Sequence, residues 1–470
     1  MYIQRMALNP ILERHKGELD KCVTCAICQS VCPTFQLSGL EKLSPRGRIV
    51  LLRRIVNGDV DPSTVADDTF NYCTLCYACQ TACPAGVKTD LLFIGARQEI
   101  AASKGLPKAK QKVFAALESP DRVEKAVRLG SLAQKTLGEG TVNKLAGGMV
   151  VPKLRGKPWL KELPEVIEPE GGKVRATVAF FAGCMSNYVD ARAAYASLEV
   201  LRRLGARIII PKAQVCCGAP AFNNGDFGTA AKLAATNLAL FEDPKITAVI
   251  SPDATCGGAF KHEIPELLWD DDELAVSAQL VAAKTMDWAG FVLKHLDPRF
   301  EPTKEPAVKV TIHDSCHLTH TQPHAAAGIP GSQVFSPDHL DQDQPETGGS
   351  SRLASKSGHT QDNPAPAKPH LSVHKLLAKL QGVELVALPE STVCCGFGGS
   401  FSAMYPDDAA RWGGRKLDSI GNTGAEIGIV SSPGCLNHLE TVRSDRHENA
   451  YRLMHPAELI CERYGWTPGW

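Results

Sequence analysis

With 470 residues the chain has room for about three domains of ~150 residues each. Lys and Arg total 51, and so do Asp and Glu, so the basic excess of phosphate-binding chains is missing and nucleic acid is not an expected partner. The 44% apolar and 22% charged residues describe an ordinary globular protein; no apolar run nears the ~20 residues of a membrane helix and no signal-peptide core is present, so a cytoplasmic chain without a transmembrane segment is expected.

Seventeen cysteines set the chain apart. They are too sparse for a disulfide scaffold and odd in number, so their clustering points to metal or redox chemistry. In chain order, the first group is Cys22, Cys25, Cys28 and Cys32 before Pro33, and the second is Cys73, Cys76, Cys79 and Cys83 before Pro84. Both read C-x2-C-x2-C-x3-C-P, the spacing of cubane [4Fe–4S] clusters, in which three cysteines hold three corners and a distant one the fourth. As in two-cluster ferredoxins, where the fourth thiolate comes from the other run, one cluster is assigned to Cys22, Cys25, Cys28 and Cys83. The other is assigned to Cys73, Cys76, Cys79 and Cys32. Zinc needs only four ligands, usually as two separated pairs, and has no use for the third step or the proline. Between the runs, Ser44 and Pro45 predict a helix start. Arg46 and Arg48 on that helix are either a solvated surface or an offset to the charge of eight thiolates.

The remaining groups are copies of one unit: Cys184, Cys216-Cys217-Gly218 and Cys256, then Cys316, Cys394-Cys395-Gly396 and Cys435. The double cysteine precedes the last one by 39 and 40 positions respectively. Each cysteine follows a short β-branched run, and helical patterns separate the runs, which predicts α/β repeats with cysteines at strand ends. Cys184 to Cys216 spans 32 positions but Cys316 to Cys394 spans 78; the excess, about 324–369, is polar and rich in Pro, Gly and Ser, and reads as a disordered insertion. The predicted layout is α+β multidomain. A small helical two-cluster ferredoxin-like domain spans 1–105, a helical linker 106–172, and two tandem cysteine-rich α/β repeats 173–300 and 301–470.

Two adjacent thiols cannot both point into one apolar core from a strand, so each repeat reads as a metal site, filled by a further iron–sulfur cluster or by zinc, with packed thiols as the alternative. No dinucleotide fingerprint, P-loop or serine-hydrolase elbow is present, so no flavin or nicotinamide site is expected on this chain. One-electron carriers alone cannot take a hydride from a substrate, so a partner must do it. His313, His317, His320 and His324 crowd around Cys316 and read either as structural histidines or as proton handlers beside a quinone. Cys461 reads as a packed thiol in a C-terminal helix.

These motifs together resemble the glycolate oxidase iron–sulfur subunit and lactate-utilisation iron–sulfur protein family. Ser44-Pro45-Arg46-Gly47-Arg48, Cys316-His317-Leu318-Thr319-His320-Thr321-Gln322 and Cys394-Cys395-Gly396-Phe397-Gly398-Gly399-Ser400-Phe401 carry the likeness. The resemblance implies an oxidoreductase subunit that takes electrons from an FAD-containing 2-hydroxyacid dehydrogenase and passes them towards a membrane quinone pool, from the inner face of the membrane. The anaerobic glycerol-3-phosphate dehydrogenase iron–sulfur subunit and the catalytic heterodisulfide reductases are relatives and stand as alternatives. A further reading, from a different class, has zinc-bound repeats that only dock partners. In heterodisulfide reductases the repeat ends C-x2-C; here those last positions are Ala259 and His438, and His438 is a candidate nitrogen ligand.

Overall fold

The computed structural model describes residues 8–146, 151–301, 305–321, 371–447 and 450–467. The insertion expected over about 324–369 lies outside the described residues. In the N-terminal lobe Ser44 caps the helix Pro45–Val56, accepting from the Gly47 amide at 2.9 Å, with Pro45 in the first turn where no amide partner is needed. The helix Thr89–Lys104 runs through the lobe. Its Leu91, Leu92, Phe93 and Ile94 pack with Leu12, Ile49, Leu52 and Phe70 in one apolar cluster.

Among the described residues, nine strands form two sheets. The first holds β1 (Val166–Ile167), β2 (Ala176–Phe180), β3 (Ala206–Ile209), β4 (Ala248–Ser251) and β5 (Thr285–Asp287) in the order β1-β3-β2-β4-β5, parallel except for β1. The second holds β6 (Val308–His313), β7 (Val383–Val386), β8 (Ile427–Val430) and β9 (Arg452–Met454) in the order β7-β6-β8-β9, all parallel. Strand for strand, β3-β2-β4-β5 matches β7-β6-β8-β9, so the duplication seen in the cysteines extends to topology. Both central strands β4 and β8 are buried throughout, as parallel strands covered on two faces must be.

The stretch read as a linker is helical over Lys108–Leu117, Pro120–Leu137 and Glu139–Leu145. It then joins the first repeat: Trp159 is fully buried in the repeat core and β1 pairs with β3.

The two repeats pack about a pseudo-two-fold axis. The helix Arg192–Arg203, after β2, lies on Pro456–Tyr464, after β9; their counterparts Leu371–Leu377 and Trp288–Phe291 pack the same way. Val178, Phe180 and Ile250 of one sheet share a core with Val310, Ile312 and Ile429 of the other. Near the axis Ser432 Oγ donates to Asp253 Oδ1 at 3.0 Å, and these residues stand three positions before Cys435 and Cys256. Among the described residues no helix is long and apolar enough to cross a membrane.

Candidate metal centres

The two N-terminal runs are built alike. The residues flanking the second cysteine of each take left-handed backbone: Thr24 and Ala26 (φ 56° and 70°), then Leu75 and Tyr77 (φ 52° and 62°). Such conformations cost about 1 kcal/mol or more at non-glycine residues, and the repeated pattern marks a backbone bent for function. The bends turn amides towards sulfur. Leu75 N lies 3.4 Å from Cys73 Sγ, and the Ala78 amide faces Cys76. Cys32, Cys73, Cys76 and Cys79 line one small void together with Arg48, Asp90 and Phe93. Cys22, Cys25 and Cys28 are neighbours at the edge of the lobe, with Cys25 exposed, and Cys83 packs against the same apolar cluster as Cys22.

The charges around these cysteines are arranged by helices. Arg46 is half-buried and pairs with Glu41 at 2.7 Å; its backbone amide faces Cys28, and its charge also acts on Cys28 and Cys22. Arg48 is fully buried, lines the void and donates to the Thr69 carbonyl at 2.6 Å. Two further arginines hold the first residue of each run: Arg53 donates to the Cys22 carbonyl at 2.6 Å and Arg97 to the Cys73 carbonyl at 2.6 Å. Burial pushes the Cys28 thiol up to about 12, with Cys32 adding to the effect.

In each repeat four sulfurs converge at the carboxyl ends of parallel strands. Cys184, Cys216, Cys217 and Cys256 form one chain of thiol contacts; Cys316, Cys394, Cys395 and Cys435 form the other. The glycine after each double cysteine is required. Gly218 and Gly396 have φ of 90° and 91°, and a Cβ on Gly396 would lie 2.7 Å from the Ala409 carbonyl oxygen. The Cys394 sulfur and burial together push the Cys316 thiol well up. A thiophilic cation would displace the protons of thiols packed so closely and satisfy all four sulfurs. The donor sets, the inward amides and the void therefore fit iron–sulfur or zinc centres.

The expected nitrogen ligand is not supplied where the sequence suggested it. His438 sits on the helix Pro433–Asp445 and its Nε2 turns to the Ala409 carbonyl at 3.2 Å. Ala259 is buried and has no donor atom. Of the histidines near Cys316, His313 is buried beneath the second repeat's cysteines, His317 sits edge-on to Tyr77 at 5.4 Å, and His320 Nδ1 lies 2.7 Å from the Thr81 hydroxyl. His324 lies outside the described residues. Cys461 is a buried thiol donating to the Ala196 carbonyl at 3.6 Å.

The N-terminal lobe meets the second repeat at sulfur. Cys76 and Cys394 are neighbours in one buried cluster with Cys316 and Trp412. Comparison with known sequences agrees with this architecture. A 4Fe-4S dicluster domain model matches residues 18–87, and a cysteine-rich domain model matches 178–261 and again 359–440. The probable glycolate oxidase iron-sulfur subunit of Bacillus subtilis (strain 168) is 28% identical, with 97% of each chain covered. Lactate utilization protein A of Bacillus velezensis is 30% identical, covering 61% of this chain and 99% of that relative. The same protein from Bacillus cereus (strain B4264) is 29% identical over the same shares. The chain belongs to the glycolate oxidase iron–sulfur subunit and lactate-utilisation iron–sulfur protein family.

Sequence reasoning missed several residues around the centres of this family member. Arg97 carries no motif, yet it donates to the Phe70 and Cys73 carbonyls from inside an apolar helix; a charged residue on such a helix was the available signal. Thr34 and Thr89 place hydroxyls 3.2 Å from Cys32 and Cys79. Behind Tyr77, Glu263 is buried with Oε1 accepting from Asn223 at 3.2 Å, and burial pushes it up to about 7. Next to it His262 pairs with Asp90 at 2.9 Å.

Proposed function

We propose that the chain is the electron-transfer subunit of a flavin-dependent 2-hydroxyacid dehydrogenase. It would take electrons from an FAD-containing partner that oxidises glycolate or lactate and pass them towards a quinone at the inner face of the membrane. The observation that carries this reading is the contact of Cys76 with Cys394, which sets a ferredoxin-type site directly against a repeat site instead of leaving them as separate modules. The names of the relatives supply the substrate class. In this reading Cys22, Cys25, Cys28 and Cys83 hold one [4Fe–4S] cluster, Cys73, Cys76, Cys79 and Cys32 the second, and the eight repeat cysteines hold further metal. Bound clusters would supply one-electron redox steps at potentials set by charge, amide donation and burial. The chain's own residues exclude water around Cys76 and Cys394, keep the Cys25 side open to a partner, and hold the Cys22 and Cys73 carbonyls through Arg53 and Arg97.

The test is anaerobic stopped-flow mixing with a flavoprotein dehydrogenase reduced by glycolate or by lactate. Bleaching of the visible iron–sulfur absorption by at least one of the two is expected. A chain bleached by dithionite but by neither reduced flavoprotein contradicts the reading.

A further inference from the structure

We infer that His313 is a ligand of the metal centre in the second repeat, through Nε2, giving that centre mixed thiolate and imidazole coordination while the first repeat's is thiolate only. The inference rests on the reading that the second repeat holds metal. His313 ends β6, three residues before Cys316, and is 1% exposed. Its Nδ1 lies 2.9 Å from the Ser391 carbonyl oxygen, which can only accept, so Nδ1 carries the proton and Nε2 presents a bare lone pair. That Nε2 is buried without a hydrogen-bond partner. A buried acceptor left unsatisfied is costly, and sulfur is close by: one ligand atom each from His313, Cys395 and Cys435 lie within 4.8 Å of one another. A backbone carbonyl fixing one ring nitrogen while the other faces a cluster of donors is the usual support of a metal-bound imidazole.

The duplication shows that the fold does not need a histidine here. The equivalent position, three residues before Cys184, is Phe181, which packs edge-on to Phe260 and Phe241 at 4.9 and 6.1 Å. One repeat thus closes this wall with a hydrocarbon, the other with a donor. The repeat with the donor is also the one whose Cys394 meets Cys76. Thiolate with imidazole suits iron in an iron–sulfur cluster or zinc, and a neutral imidazole beside the thiolates adds a donor without adding negative charge.

The test uses the full-length protein, purified anaerobically and labelled with 15N-histidine. The metal lost on Cys435→Ser marks the second-repeat centre. If that metal is iron, pulsed EPR of its paramagnetic form should show a directly bound histidine nitrogen that shifts with the label. If it is zinc, zinc-edge X-ray absorption should show imidazole scattering beside sulfur. Either signal should vanish in His313→Phe, which copies the first repeat, with the EPR of the N-terminal clusters unchanged; His313→Gln repeats the test if the phenylalanine variant does not fold. A filled centre with no histidine nitrogen, or with one that survives substitution of His313, overturns the inference alone. A second repeat without metal in the wild type overturns the parent reading, and the inference with it.

Discussion

At the scale of single residues, burial and pairing set how the protein responds to pH. Burial lifts Glu263 to about 7. The unfolded carboxyl titrates near 4.3, so the folded state loses stability as pH rises from about 4.5 to 7 and then levels off. His262 is raised by Asp90 against the opposing pull of burial, so its contribution is complete below about 6.5 and is lost as pH climbs through its folded value. Asp90 is held low by His262, despite its own burial; its contribution is present above about 3.9 and is lost as pH falls through its folded value. Thermal stability should therefore decline from pH ~5 to ~8, and Glu263→Gln should flatten most of that slope, a gain of about 3 kcal/mol at pH ~8. Melting curves of both proteins across this range check it; parallel slopes would contradict it. Arg97 makes a second case. Its guanidinium donates to the Phe70 and Cys73 carbonyls, and charge-assisted bonds contribute about 1.5–3 kcal/mol each. Arg97→Ala should lower the melting temperature and cut iron per chain towards half, and Arg97→Lys should restore part of both. Unchanged iron in Arg97→Ala would show that this arginine does not support the second run.

The elements were legible in proportion to how local their causes are. Ser44 and Pro45 announce a helix that the structure begins there, because a cap acts within one turn. The strands before Cys184, Cys256, Cys316 and Cys435 were readable because a buried parallel strand is a short β-branched run. What escaped reading depends on distant partners. Arg97 reaches a carbonyl 24 positions away, and His313 is oriented by a carbonyl 78 positions away. His438 was a reasonable ligand by spacing, three residues after Cys435. The helix carrying it lies against Pro406–Gly421 and directs the ring at a carbonyl there. Close approach of elements yields a prediction of its own. Gly225 has φ 82°, and a Cβ there would come within 2.7 Å of the Arg97 carbonyl carbon, where the first repeat touches the N-terminal lobe. Gly225→Ala should cost about 1–3 kcal/mol and speed proteolysis between lobe and repeat, with the cysteine sites themselves untouched. A melting temperature within error of wild type would mean that this contact opens freely.

Over the whole molecule, the N-terminal lobe braces both repeats. Asp90 and Arg97 reach His262 and Asn223 of the first, and Tyr72, Cys76 and Thr81 reach Asp408, Cys394 and His320 of the second. In the proposed crossed assignment of the fourth cysteines, one centre would lie at the exposed edge by Cys25 and the other against the second repeat by Cys76, an order running from surface to interior. This arrangement requires that both N-terminal sites be filled by iron–sulfur clusters. The decisive measurement is iron, acid-labile sulfide and zinc per chain after strictly anaerobic purification, with EPR of the reduced sample. At least about 8 iron and 8 sulfide per chain are expected from the N-terminal pair, with any further iron or zinc belonging to the repeats. Fewer than about 8 iron in protein shown to have lost none on handling would contradict the two-cluster assignment on which the electron path depends.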